Sequence, residues 1–324
     1  MGVLSSTLIP TPDGWTAAAN IKKGDLVFDH LGQPTEVTKV QEYSTTECYS
    51  VTFEDGLTVE GDRHLAFMVQ DRVWRNCLTR YKNYKTNRKR RPFKRPLIKL
   101  PVENAELRTG TRLNYSVPTC QPIQYASRTL PVPAYIFGVW FASLTPTNKM
   151  WVRDKPINKI QKIFRGYGHF IKTKRHKNGD HMFDIRPSVR DSFLFAGLDI
   201  PTTIPYYYLD GSVDQRVELL EGFIDGGLIK KYKGSNLYVS KDQNYHLMRK
   251  IQGLVESLGI KTTLHTPYDS ACYTLKFRAN LEFTDFYGTN RRFIHKIEKI
   301  APKWCTHIET EAQFLVGEGF IPVC

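Results

Sequence analysis

Apolar positions recur at helical spacing in two stretches well inside the chain. In the stretch from Gly211 to Leu228, Val217, Leu220 and Ile224 fall at helical intervals together with Gly222. Ser212 is a good N-cap, and Gln215 one turn later can reach back to complete a capping box. Gly226-Gly227 then stops the helix. A glycine inside an apolar helix costs roughly 1 kcal/mol relative to alanine, so Gly222 predicts another backbone pressed close against it. The stretch from Ala134 to Leu144, which follows Pro133, supplies the partner. It carries Gly138 in the same relation to its apolar neighbours.

Alternation of period two dominates the first part of the chain. Thr7 to Trp15 reads as a strand entering a turn at Pro12-Asp13-Gly14, and Ala17 to Asp25 as a short helical turn. Strands are expected at Leu26 to Asp29, Thr35 to Glu42, Cys48 to Phe53, Leu57 to Glu60 and Leu65 to Val69, with Glu54-Asp55-Gly56 as a hairpin turn. The middle repeats loosely. After the first helix come a strand from Lys149 to Arg153, a helix from Lys155 to Phe164, and a hairpin of His169 to Lys174 with Met182 to Arg186. After the second come a strand from Asn236 to Ser240, a helix from Tyr245 to Leu258 ended by Gly259, and a hairpin of Ile260 to Thr266 with Cys272 to Phe277.

The 324 residues suffice for two domains, and 41% apolar with 24% charged residues is ordinary for globular protein. No apolar run approaches the roughly 20 residues of a membrane span, and the N-terminus lacks a signal peptide's regions. The expectation is therefore a soluble, intracellular, cytoplasmic protein with no membrane partner. The six cysteines are dispersed without a CxxC pair, so neither a zinc site nor a disulfide framework is indicated.

The net charge of +14 is concentrated. Between Asp71 and Leu100 stand twelve Lys/Arg against one acid. The centre includes Arg88, Lys89, Arg90, Arg91, Lys94 and Arg95, with Tyr81, Tyr84 and Phe93 interleaved. Such a segment suits phosphate neutralisation with salt-sensitive affinity. A solvated loop or a nuclear-localisation-like patch is the plainer alternative.

The two glycine-bearing helices, the lead-in Ile204-Pro205-Tyr206-Tyr207-Tyr208 and the run Arg216…Leu219-Leu220-Glu221-Gly222 resemble the paired motifs of the LAGLIDADG homing endonucleases. The resemblance implies an α/β domain of pseudo-twofold αββαββα repeats, each half offering a curved sheet to double-stranded DNA. On those sheets Lys172, Lys174, Arg175, Lys230, Lys231, Lys233, Lys276 and Arg278 are candidate DNA contacts. It also implies a carboxylate from each helix end, sharing a divalent metal such as Mg²⁺ over a DNA phosphate. Here those positions hold Ser143 and Gly227, followed by Leu144 and Leu228. Asp225 lies two residues earlier, which places it about 200° around the helix from the expected position. The metal ligands stay unknown, and no other cofactor is implied.

Thr11-Pro12-Asp13-Gly14-Trp15, Lys23-Gly24-Asp25-Leu26-Val27 and Glu60-Gly61-Asp62-Arg63-His64 resemble the Hint fold of inteins. Cys305-Thr306-His307-Ile308-Glu309 and the run from Phe314 to Pro322 are similar to its closing blocks. The resemblance implies an all-β Hint domain formed by both chain ends, with the endonuclease inserted between them. It implies acyl-transfer chemistry with His64 as helper and Cys305 as the nucleophile used by a subclass that lacks a first-residue nucleophile. The tryptophan and threonine of that subclass are replaced by Ala66 and Val323, and the chain closes on Pro322-Val323-Cys324 without the usual His-Asn. His307 is a possible displaced helper.

The expected organisation is a Hint N-terminal part over 1–125, including a basic DNA-contact segment at 71–100, an endonuclease domain over 126–298, and a Hint C-terminal part over 299–324. The function expected is that of an intein-derived, monomeric protein binding specific double-stranded DNA, with splicing and cleavage chemistry lost. A flanking host protein is a partner if the chain is embedded as an intein. Two alternatives stay open. In one, Asp225, Asp242 or Asp154 has taken over metal binding and DNA is still cut; in the other, the chain is a non-catalytic protein-interaction module.

Overall fold

Both ends of the chain enter one antiparallel sheet. In the computed structural model the strands lie in the order Ser116–Pro118, Arg291–Ile300, Cys48–Phe53, Thr58–Asp62, Gly2–Leu4, Lys303–Thr310, Pro34–Thr45 and Leu26–Phe28. The structure describes residues 2–45, 47–76, 97–104, 107–109, 111–143, 149–152, 156–168, 172–175, 181–184, 203–266, 272–279 and 290–324. It divides into two units, Met1–Ile123 with Thr284–Cys324, and Gln124–Phe283.

In the first unit, turn chemistry closes the central hairpin. Cys48 pairs with Asp62 and Thr52 with Thr58, and Gly56 turns the chain at φ 85°. The inward residues of these strands, among them Val3, Val51, Phe53, Val59 and Ile308, pack with Ile9, Phe67 and Phe314 as one apolar core. Two sequence boundaries shift. The helical turn expected over 17–25 is confined to Ala18–Asn20. The strand Arg291–Ile300 pairs with Cys48–Phe53, so the expected domain boundary at residue 298 falls within a strand of the first unit. The cross-strand ladder, invisible to a local reading, captures this segment. The centre of the basic segment, including Arg88, Lys89, Arg90, Arg91, Lys94 and Arg95, lies outside the described residues.

The second unit contains helices α1 (Ala134–Ser143), α2 (Ile157–Gly166), α3 (Val213–Asp225) and α4 (Tyr245–Ser257). The predicted capping box starts α3. Gln215 N–H donates to Ser212 Oγ at 3.3 Å, and Ser212 N–H to Gln215 Oε1 at 3.0 Å. Helices α1 and α3 meet glycine to glycine, as Gly222 predicted. A Cβ on Gly138 would lie 2.6 Å from the Leu219 carbonyl oxygen, and one on Gly222 would lie 2.5 Å from that of Tyr135. Three strands, in the order Lys149–Val152, His181–Asp184, Lys172–Arg175, form one sheet. Four strands, in the order Ile229–Lys231, Leu237–Asp242, Tyr273–Arg278, Thr262–His265, form another. The second half therefore runs helix, two strands, helix, two strands. In the first half, one strand is described between α1 and α2.

Candidate functional site

Close packing of α1 on α3 brings two helix ends side by side, and their side chains decide what that place can do. Ser143 is buried and its Oγ donates back to the Val139 carbonyl at 2.5 Å, within its own helix. Gly227 sits at φ 95°, a left-handed conformation that suits glycine just beyond a helix, and has no side chain to offer. Asp225 Oδ2 accepts from Tyr135 Oη at 2.8 Å and pairs with Lys159 Nζ of α2 at 2.9 Å. Lys159 also reaches Glu221 at 2.8 Å.

Burial would lower the Lys159 pKa, but the hydrogen bonds to Glu221 and Asp225 outweigh it and hold the ammonium above its ordinary value. Burial, with Asp225 beside it, pushes the Tyr135 phenol up. This is a satisfied ion-pair network joining α1, α2 and α3. The two carboxylates face a fixed cation, and the flanking positions supply a committed hydroxyl and a bare glycine. Among the described residues, no cluster of three or more His, Cys, Asp or Glu is arranged to hold a metal. The donor set at the helix ends thus does not fit Mg²⁺, which asks for several uncommitted oxygens. Asp242 accepts from Asn244 N–H at 2.7 Å through one oxygen, just before α4, and Asp154 lies outside the described residues.

The sheets sort the basic candidates by face. Lys230 pairs with Val239 and Val239 with Lys276, while Leu237 pairs with Arg278. Alternation places Lys230, Lys276 and Arg278 on one face, all exposed, opposite the face carrying Tyr238, Leu275 and Phe277. Lys241 shares the basic face, a residue the sequence reading missed although it follows Leu237 and Val239 at period two. Lys231 is on the other face, its ammonium 5.5 Å from the Tyr238 ring centroid, and Lys233 lies exposed just after its strand. In the three-stranded sheet Arg175 follows Lys174 directly, so it is directed to the opposite face.

The first unit holds a second candidate centre. Cys305 is buried, its Sγ 4.0 Å from that of Cys48. Burial, with Cys48 and then Asp62 nearby, pushes its thiol up to about 12. His64 is exposed, and its Nε2 accepts from Arg63 Nε at 3.3 Å. No hydrogen bond joins His64 to Cys305 among the described residues, so the two predicted partners are not brought together as nucleophile and base. His307 pairs instead with Glu309, at 2.7 Å. Asp62 is the group that sequence reasoning passed over. It is buried, accepts from the backbone N–H of Gly2 at 3.2 Å and of His64 at 3.0 Å, and takes the Tyr43 hydroxyl on its other oxygen. Its only sequence signal was its place inside the Gly61-Asp62-Arg63-His64 run.

No protein-family model matches the chain. The replicative DNA helicase DnaB of Mycobacterium intracellulare is 26% identical over 310 residues, covering 90% of this chain and 49% of that protein. The chain thus spans about half the length of that curated relative. Similar solved structures include the gp41-1 intein, 30% identical over 22% of this chain and 55% of that one, with a TM-score of 0.20. The MchDnaB-1 intein is 29% identical over 21% of this chain and 53% of that one, also at 0.20. The homing endonuclease I-DmoI, solved in complex with DNA and Mn, is 12% identical over 45% of this chain and 89% of that one, at 0.32. Inteins and a homing endonuclease, the two kinds of protein that the sequence motifs resemble, are both among these neighbours.

Proposed function

We propose that the chain is an intein-derived, homing-endonuclease-type protein that binds specific double-stranded DNA through its second unit and no longer cuts it. The observation that carries this reading is the pair of helix ends. A glycine-to-glycine contact keeps the close approach of a LAGLIDADG motif pair, while Ser143, Gly227 and the ion-paired Asp225 leave no carboxylate pair uncommitted for a metal. The exposed face bearing Lys230, Lys241, Lys276 and Arg278 supports retained phosphate and base-edge contact. In the first unit, a protonated and enclosed Cys305 with His64 turned to Arg63 supports the reading that acyl transfer is also lost. The half-length match to a replicative helicase supports a host protein of that kind around the segment.

The test is cleavage of a plasmid library with Mg²⁺ or Mn²⁺, run beside mobility-shift binding. Wild type is expected to bind and not cut. Each 1.36 kcal/mol of lost transition-state stabilisation is tenfold in rate, and missing metal ligands remove several kcal/mol. Ser143→Asp with Gly227→Asp, and Leu144→Gly with Leu228→Gly to open the helix ends, is expected to restore nicking or cutting. Specific cutting by wild type, abolished by Asp225→Ala, would instead make this a working nuclease.

A further inference from the structure

A cavity of about 330 Å³ opens in the first unit, away from the Cys305 cluster, lined by Arg72, Arg75, Arg112, Glu54 and Phe293. Its elements fix one arginine firmly. Asp71 caps the turn at 72–76 through Trp74 N–H at 2.5 Å. Arg75 then reaches back to donate to the carbonyls of Gln70 at 2.6 Å, Asn114 at 2.7 Å and Leu113 at 3.0 Å. These three carbonyls orient the guanidinium and carry no formal charge of their own. The Arg75 Cζ also lies 4.9 Å from the Phe293 ring centroid, with the Arg291 Cζ 5.8 Å from the same ring.

Two like charges therefore share one aromatic ring. Burial, and next Arg291, hold Arg75 below its ordinary value; burial does the same to Arg291, opposed by Glu54. The side chains of Arg72 and Arg112 form no hydrogen bond or ion pair with described residues. Glu54 acts on Arg291, and Asp71 partly compensates Arg75. A surplus of positive charge still faces the cavity, with two guanidinium groups uncommitted.

We propose that this cavity is a phosphate-binding site, with Arg75 as its fixed floor and Arg72 and Arg112 as the arms that close on the anion. Guanidinium forks match the oxygens of a phosphate, and a multiply charged tetrahedral anion gains most from several of them. The phosphate has two possible sources, a free phosphorylated small molecule or the backbone of a nucleic acid. The proposal stands whether or not the second unit binds DNA.

The experiment is isothermal titration of the full chain with inorganic phosphate at constant ionic strength, chloride being the control anion. Variants are Arg72→Ala with Arg112→Ala, and the conservative Arg72→Lys with Arg112→Lys. Arg75 is left alone because it holds the surrounding carbonyls. Wild type is expected to bind phosphate above the chloride control. The alanine variant is expected to bind at least about tenfold more weakly at unchanged Tm, with the lysine variant between them. A parallel titration with a short DNA duplex identifies the source. A fall in both affinities assigns the site to nucleic-acid backbone, and a fall in phosphate binding alone assigns it to a free ligand. Equal phosphate affinity in wild type and alanine variant, or no heat beyond chloride, overturns the proposal.

Discussion

Cys305 is where a single residue's surroundings set its chemistry. A nucleophilic cysteine needs thiolate, and a thiol pushed up to about 12 holds far less of it at pH 8 than a solvated one. Iodoacetamide at pH 8 is therefore expected to modify Cys305 in the native chain far more slowly than in urea, read by peptide mass spectrometry. Comparable rates would show an activated thiol. The stability effect has a definite sign. Because the folded pKa lies above the unfolded one, the contribution is complete below about pH 9 and falls away as pH rises toward 12. The urea-midpoint advantage of wild type over Cys305→Ala should accordingly shrink between pH 8 and 11. His64 and Cys305 were legible as motif positions. Asp62, buried between the Gly2 amide and Tyr43, was not, because an acid in a run of polar residues looks solvated until the surrounding strands enclose it.

At the scale of elements, the contact of α1 with α3 was readable from two glycines. With carbonyl oxygens 2.5–2.6 Å from the added methyl position, Gly138→Ala and Gly222→Ala must force the helices apart. Each is expected to lower stability by about 1–3 kcal/mol or more, against the small gain alanine brings a free helix. Urea denaturation checks this, and a stabilised Gly222→Ala would mean the helices do not pack so closely. The capping box at Ser212 was legible because it is local: both of its partners lie within one turn. Strand faces were legible in part. Alternation within a strand separates Lys230 from Lys231 and Lys174 from Arg175, but register across strands was needed to place Lys241 on one face with Lys276 and Arg278.

For the whole molecule, charge governs any encounter with nucleic acid. The +14 net charge, concentrated between Asp71 and Leu100, predicts duplex binding that weakens steeply with salt. Replacing Arg88, Lys89, Arg90 and Arg91 by alanine is expected to weaken binding to all sequences alike. It should also flatten the slope of log K against log salt by up to about 3–4. Fluorescence anisotropy across a salt series measures it, and an unchanged slope would remove this segment from the interface.

By itself the sequence determined the helix pair and its glycine contact, the capping box, the hairpins, and the β-rich ends enclosing an α/β middle. Each rests on periodicity or on contacts within a few residues, so the information is complete in a short window. Tertiary structure alone decided that Arg291–Ile300 belongs to the first unit's sheet and that Asp225 is claimed by Tyr135 and Lys159. It also decided that Cys305 is buried beside Cys48, where burial pushes its thiol up. Those outcomes depend on partners up to hundreds of residues away. The availability of a carboxylate or thiol is set by which charges and how much water those partners leave around it.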